Sequence, residues 1–148
     1  MKVEKKFVLF LLVSVCLFCS CEDNESNNEN ILTNTQWRLE GFVNGNTGKM
    51  TPPLREGNLY YTLYFDRNTL IGMGAVNTFK GKYTIDNTAN LAMQIIQQSH
   101  EQSGKGDDQK YISALKSVRS YKKTTSVLSL YYEGNNFMKF KRMGNGNN

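Results

Sequence analysis

Over most of this chain the apolar side chains recur at every second position, and that period restricts it to half-buried strands packed over one core. Leu59, Tyr61, Leu63 and Phe65 alternate with Tyr60, Thr62, Tyr64 and Asp66, which predicts a strand with one buried face. Asp66-Arg67-Asn68 reads as a turn into Thr69-Leu70-Ile71-Gly72-Met73. Phe79 to Ile85 and Leu91 to Ile96 read as two further strands joined through Asp86-Asn87-Thr88. Near the end, Val127 to Tyr132 and Phe137 to Arg142 flank Glu133-Gly134-Asn135-Asn136, a hairpin signal because Gly and Asn tolerate the positive φ of tight turns.

One helix interrupts the strands. Tyr111, Leu115 and Val118 recur at helical spacing beside Ile112 and Ala114, with Asp107 or Asp108 placed to cap the start and an end expected near Ser120. The chain then extends again at Tyr121-Lys122-Lys123-Thr124. A single helix among short strands predicts a mainly β fold: a curled antiparallel sheet or small β-barrel of seven or eight strands, closed on one side by the helix. An open sheet would leave edges that a soluble domain must protect.

The first thirty residues have a different character. Lys2, Lys5 and Lys6 precede the apolar run Phe7 to Phe18. As a helix that run would span roughly 18 Å at ~1.5 Å per residue, too short for a hydrocarbon core of ~30 Å. It therefore reads as an export signal, residues 1–20. Cys21 follows the small Ser20 whereas Cys19 follows Phe18, so Cys21 is the expected lipidated residue; a secretory signal cut without lipidation is the plainer alternative. Residues 21–30, carrying Glu22, Asp23, Glu25 and Glu29 among Asn and Ser, contain too little apolar surface to repay ordering and are expected to form a tether. Extended, its nine residues beyond Cys21 would reach about 30 Å. Acidic residues just after the lipidated Cys resemble the surface-export signal of Bacteroidetes lipoproteins. The expected address is the outer membrane, held by a lipid anchor and facing outward, with a spacer on a periplasm-facing lipoprotein as the other reading. Residues 31–143 remain as one domain and residues 144–148 as a tail expected to fray.

The cysteines and charges exclude several classes of function. Cys16, Cys19 and Cys21 are the only cysteines, so the domain has no disulfide, no thiol nucleophile and no Cys-ligated metal. A single His makes a His-based zinc site improbable, and no cofactor is expected. Removal of the leader discards three Lys and one Glu from a chain of net charge +5, so a nucleic-acid partner loses its support.

Several motifs invite sharper readings. Gly45-Asn46-Thr47-Gly48-Lys49-Met50 has a misplaced first Gly for a phosphate loop and Met50 where a hydroxyl is required. Gly72-Met73-Gly74 lacks the third glycine of a dinucleotide site. His100-Glu101 has the makings of an acid–base pair but sits in the polar stretch from Gln97 to Asp108, where an exposed loop His is the simpler reading. Asp107-Asp108 lacks a third oxygen ligand for a hard cation and reads as a helix cap. A hydrolase would need His100 or Asp66 beside a hydroxyl such as Ser99 or Thr78. Tyr60, Tyr64, Tyr131 and Tyr132, with Lys80, Lys82, Lys139 and Lys141, fit either a sugar- or anion-binding face or ordinary strand chemistry, the latter favoured.

Asn34-Thr35-Gln36-Trp37-Arg38-Leu39 resembles the opening of the META/HslJ-like domain. Tyr64-Phe65 through Leu70-Ile71-Gly72, then Asn77-Thr78-Phe79-Lys80-Gly81-Lys82-Tyr83, is similar to its central signature. Tyr111 to Tyr121 matches its helix and following strand, and Leu128-Ser129-Leu130 with Met138-Lys139-Phe140 its closing hairpin. The chain departs from the family at Ala75-Val76-Asn77, where Gly-Cys-Asn is usual, and a second family cysteine is missing too. The resemblance implies a non-enzymatic envelope protein tied to stress, drug tolerance or virulence, with Trp37, Asn77, Gly81 and Tyr83 as structural motif residues. Trp37, Tyr83 and Phe140 are expected in the core, and Asn77 at a turn that its side chain supports. Possible partners are an envelope protein or, in a lipocalin-like barrel, a small apolar ligand or glycan; a filled interior would count against a ligand lodged there.

Overall fold

The computed structural model describes residues 31–100 and 107–144. The expected export signal, tether and Cys21, and most of the tail, lie outside them. Nine strands and one helix follow in the order β1 (Thr35–Val43), β2 (Met50–Thr51), β3 (Thr62–Asp66), β4 (Thr69–Met73), β5 (Thr78–Ile85), β6 (Leu91–Gln98), α1 (Asp108–Lys116), β7 (Ser120–Lys123), β8 (Val127–Tyr131) and β9 (Phe137–Arg142). Eight strands form one antiparallel sheet in the order β6-β5-β4-β3-β1-β9-β8-β7, and the two-residue β2 hangs off β1.

The sheet curls into a half-barrel because its two edges approach each other. β6 and β7 meet through a single bridge, Asn90 with Ser120, reinforced where the Leu91 amide donates to the Arg119 carbonyl at 2.8 Å. Between them lies α1, whose Tyr111, Ile112, Ala114 and Leu115 are buried. The expected curled sheet closed by one helix is therefore the fold observed. Two irregularities bend it. The ladder shifts register between Leu39 and Gly41 on β1 and between Lys80 and Gly81 on β5. Such bulges add local twist and curvature. At the second, a Cβ on Gly81 would lie 2.2 Å from the Gln94 carbonyl oxygen, so only glycine permits this approach.

Alternation fills the interior. Trp37, Leu63, Phe65, Leu70, Tyr83, Leu91, Tyr111, Leu115, Leu128, Leu130, Met138 and Phe140 are all essentially inaccessible to solvent. Rings meet edge to face, Phe65 with Tyr83 at 4.9 Å and Tyr61 with Tyr111 at 5.6 Å, a geometry the ring quadrupoles favour. Each such side chain contributes about 1.5–3 kcal/mol by leaving water.

Three expectations are corrected. The strand predicted from Leu59 begins only at Thr62: Leu59 is 73% exposed, and Tyr61 turns the chain with φ 52° before its ring enters the core. A bulky residue at positive φ is strained, and its amide bond to the Gly74 carbonyl at 3.2 Å helps hold it. The helix ends at Lys116 rather than near Ser120, since Ser117 to Arg119 form the connection to β7. Finally, neither Asp107 nor Asp108 caps α1 with its side chain; both carboxylates turn to other partners.

Candidate functional site

The densest polar cluster among the described residues surrounds the start of α1. Helix starts leave backbone N–H groups without intrahelical partners, and a side-chain carboxylate usually takes them. Here the Asp108 carboxylate instead crosses to the turn between β4 and β5. It accepts from the backbone amides of Ala75 at 2.6 Å and Val76 at 3.2 Å, and from Asn77 Nδ2 at 3.2 Å. Gly74 makes the approach possible, because a Cβ there would stand 1.8 Å from Asp108 Oδ1. The neighbouring Asp107 accepts the Tyr61 hydroxyl proton, while its carbonyl starts the helix by accepting from the Tyr111 amide at 2.9 Å.

Asn77 is the hub of this cluster. It is buried, its Oδ1 accepts from the Ser99 hydroxyl at 3.3 Å, and its carbonyl accepts from the Gly74 amide at 2.8 Å. The Ser99 hydroxyl oxygen in turn accepts from the Thr78 amide at 3.1 Å. One side chain thus links the β4–β5 turn, α1 and the end of β6. The arrangement is a nest of backbone amides already filled by the protein's own anion, and its role is to latch the helix over the gap in the sheet. Burial and the Asp107 hydrogen bond push the Tyr61 hydroxyl up to about 12, and burial raises Tyr111 well above the usual phenol range.

The other motif residues lie apart from this cluster. Trp37 is fully buried on β1 and donates from Nε1 to Thr35 Oγ1 at 2.8 Å; that hydroxyl donates on to the Leu32 carbonyl. Tyr83 is buried on β5 and its amide donates to the Asn68 carbonyl at 3.1 Å. Phe140 is buried on β9.

The catalytic and phosphate readings do not assemble. His100 is exposed just past β6, and Glu101 lies outside the described residues. Asp66 pairs with Thr69 whereas Thr78 pairs with Met73, so they sit at opposite ends of β4. In the Gly45–Met50 loop the amides of Asn46 and Thr47 both donate to Asn44 Oδ1 at 3.0 Å, which occupies the donors a phosphate would need. Among the described residues no three His, Cys, Asp or Glu side chains stand close enough together to hold a metal ion, and no helix is long and apolar enough to cross a membrane. Asp86 binds its own hairpin: Asn90 Nδ2 at 2.7 Å and the Thr88 hydroxyl at 2.8 Å donate to its carboxylate, joined by the backbone amides of Thr88 and Asn90, and together they lower its carboxyl to about 2. A surface depression of about 640 Å³ lies beside this hairpin, between Asn68, Lys82 and Tyr121.

The result is a β-rich half-barrel filled by its own aromatic and aliphatic side chains, with one helix held to the β4–β5 turn by the Asp108 contacts. The META domain family model matches residues 30–144, and the chain belongs to that family. Among solved structures it is similar to a DUF4847 family protein from Bacteroides vulgatus, with a TM-score of 0.61 and 16% identity over 76% of this chain and 95% of that one. A protein from Burkholderia xenovorans is also similar, with a TM-score of 0.59 and 16% identity over 78% of this chain and 86% of the other. These two likenesses concern the fold alone. No curated protein matches the sequence.

Neither the latch nor the hydrogen bonds that Asp86 makes within its turn were visible in sequence. The signal available for the latch was the pair Gly74 and Asp108, but 33 residues of intervening chain hide their contact.

Proposed function

We propose that this META protein is a lipid-anchored module of the bacterial outer membrane, tethered through Cys21, which works by binding an envelope partner under stress rather than by catalysis. The observation that carries this reading is the filled interior. With Trp37, Tyr83, Tyr111 and Phe140 occupying the half-barrel, recognition falls to the outer surface of the sheet and its loops. The same packing counts against an apolar ligand lodged inside, since a bound molecule would have to displace large buried rings.

Fractionation of cells expressing the full chain tests the anchor. Cys21→Ala is expected to release the protein from membranes, and Cys19→Ala to leave it there. The reverse pattern would overturn the assignment of Cys21. Protease treatment of intact cells then reports the leaflet: digestion of the domain supports the outward-facing address, and protection until the outer membrane is opened refutes it.

A further inference from the structure

Several carboxylates of the described domain are held by the protein's own donors, and some of its cations are held too: Arg38 donates to Asn58 Oδ1 and Arg55 to the Ala75 carbonyl. Beyond residue 30 the chain carries fifteen Lys and Arg against eight Asp and Glu. Asp107 and Asp108 belong to the helix latch, Asp86 holds its own hairpin, and Glu40 pairs with Lys139 at 3.0 Å. Fifteen against eight leaves +7 beyond residue 30, against +5 for the whole chain, and that balance makes the field outside the domain positive.

Part of that excess lies beside aromatic rings on one sheet face. On β9, Lys139 and Lys141 alternate with the buried Met138 and Phe140, so they face outward. The register sets Lys141 between Val127 of β8 and Arg38 of β1, and Lys139 beside Ser129, which itself faces Lys122 of β7. Three of four consecutive strands, β7, β9 and β1, thus present Lys122, Lys139, Lys141 and Arg38 on the outside, with Glu40 as the carboxylate among them. At one end of the patch Tyr131 and Phe137 pair across β8 and β9, centroids 5.1 Å apart, and Lys122 Nζ lies 5.7 Å from the Tyr131 centroid. Both rings are only half-buried.

We infer that the outer face of β7-β8-β9-β1 binds an acidic polysaccharide. A sugar ring presents apolar C–H groups to an aromatic face, and Tyr131 with Phe137 supplies one. Lys122 and Lys141, on strands either side of β8, then offer cations to carboxylates along the polymer, and the Ser129 hydroxyl, opposite Lys122, adds a neutral hydrogen-bonding group. The outer face of a curled sheet is convex and suits an extended polymer better than a small molecule, which needs a concave site to lose enough water. Charge alone would accept any polyanion; the rings adjoining the cations single out a uronic-acid glycan.

This deepens the reading of the domain as a binding module, and its test is independent of the anchor. The full-length chain in neutral detergent is titrated with oligogalacturonate, a neutral maltooligosaccharide of equal length, and inorganic polyphosphate. Oligogalacturonate is expected to bind, with affinity falling as salt rises. Lys122→Glu with Lys141→Glu should weaken it at least tenfold, and Tyr131→Ala severalfold, with thermal midpoints of the variants near the parent. Lys80→Glu with Lys82→Glu, on β5 across the sheet, should leave it unchanged. Absence of oligogalacturonate binding, equal binding of the neutral sugar, or polyphosphate binding that equals it and ignores Tyr131→Ala would each overturn the inference. None of these results bears on membrane release by Cys21→Ala.

Discussion

Replacing Asp108 by Ala isolates the latch. The carboxylate takes the amides of Ala75 and Val76 and the side-chain amide of Asn77, so its loss strands three donors in hydrogen bonds that are only partly buried. An orphaned donor costs about 1–3 kcal/mol when fully buried. Partial burial of these contacts, on the side of Asp108, puts each near the lower bound, for a total of about 3 kcal/mol by that principle. For a domain of this size that corresponds to a fall of about 10 °C in thermal midpoint, read by circular dichroism. Asp108→Asn, which keeps one acceptor oxygen, should lose about half as much. Gly74→Ala attacks the same contact from the other side, since its Cβ would stand 1.8 Å from Asp108 Oδ1. The double variant should therefore be markedly less destabilised than the sum of the two singles, as coupled neighbours are. A midpoint within 2 °C of the parent for Asp108→Ala, where about 10 °C is expected, would refute the latch. Strict additivity with Gly74→Ala would do the same.

Three other outcomes follow from single contacts. Thr35→Val leaves Trp37 Nε1 buried without its 2.8 Å acceptor and should cost about 1–3 kcal/mol in denaturant unfolding, whereas Thr35→Ser should be nearly silent. Gly81→Ala drives a Cβ to 2.2 Å from the Gln94 carbonyl oxygen and should destabilise more than Gly134→Ala, where nothing lies within 4 Å although φ is 54°. Tyr61 keeps its proton up to about 12 in the fold against 10.0 ordinarily, so its contribution is whole below pH 10 and disappears as pH rises toward 12. Tyr61→Phe should accordingly flatten the loss of stability in that window, and phenolate absorbance should show one late-titrating tyrosine fewer.

Alternation made most strands legible, because β4, β5, β6, β8 and β9 each carry a run long enough for period two to dominate. It failed at Leu59 and Tyr61, where the pattern continues on paper but the backbone turns through a positive φ that no tyrosine advertises. The helix was legible from Tyr111, Leu115 and their neighbours, yet its two aspartates were misread. A local cap and a long-range latch use the same residue type at the same place, and only the position of Gly74 separates them. The cationic face was visible as Lys alternation on β9, but its assembly with Lys122 and Arg38 depends on strand order, which alternation does not encode. The family resemblance drawn from Trp37, Gly81 and Tyr83 agrees with the family match, although the usual cysteine is replaced by Val76 in the turn that receives Asp108.

The pairing of β1 with β9 has a consequence for how this protein is made. The first and last strands of the domain lie side by side in the middle of the sheet, while the edges β6 and β7 come from the middle of the chain. Closing that ladder joins Trp37 to Arg142 across nearly the entire domain, a contact of long sequence separation that slows folding. Until Phe137–Arg142 has emerged, β1 has β3 on one side and no β9 on the other, and β7 with β8 cannot join the rest of the sheet through it. A domain arranged this way completes itself only when its C-terminal strand arrives. Truncation there would split the sheet through its centre rather than trim its margin.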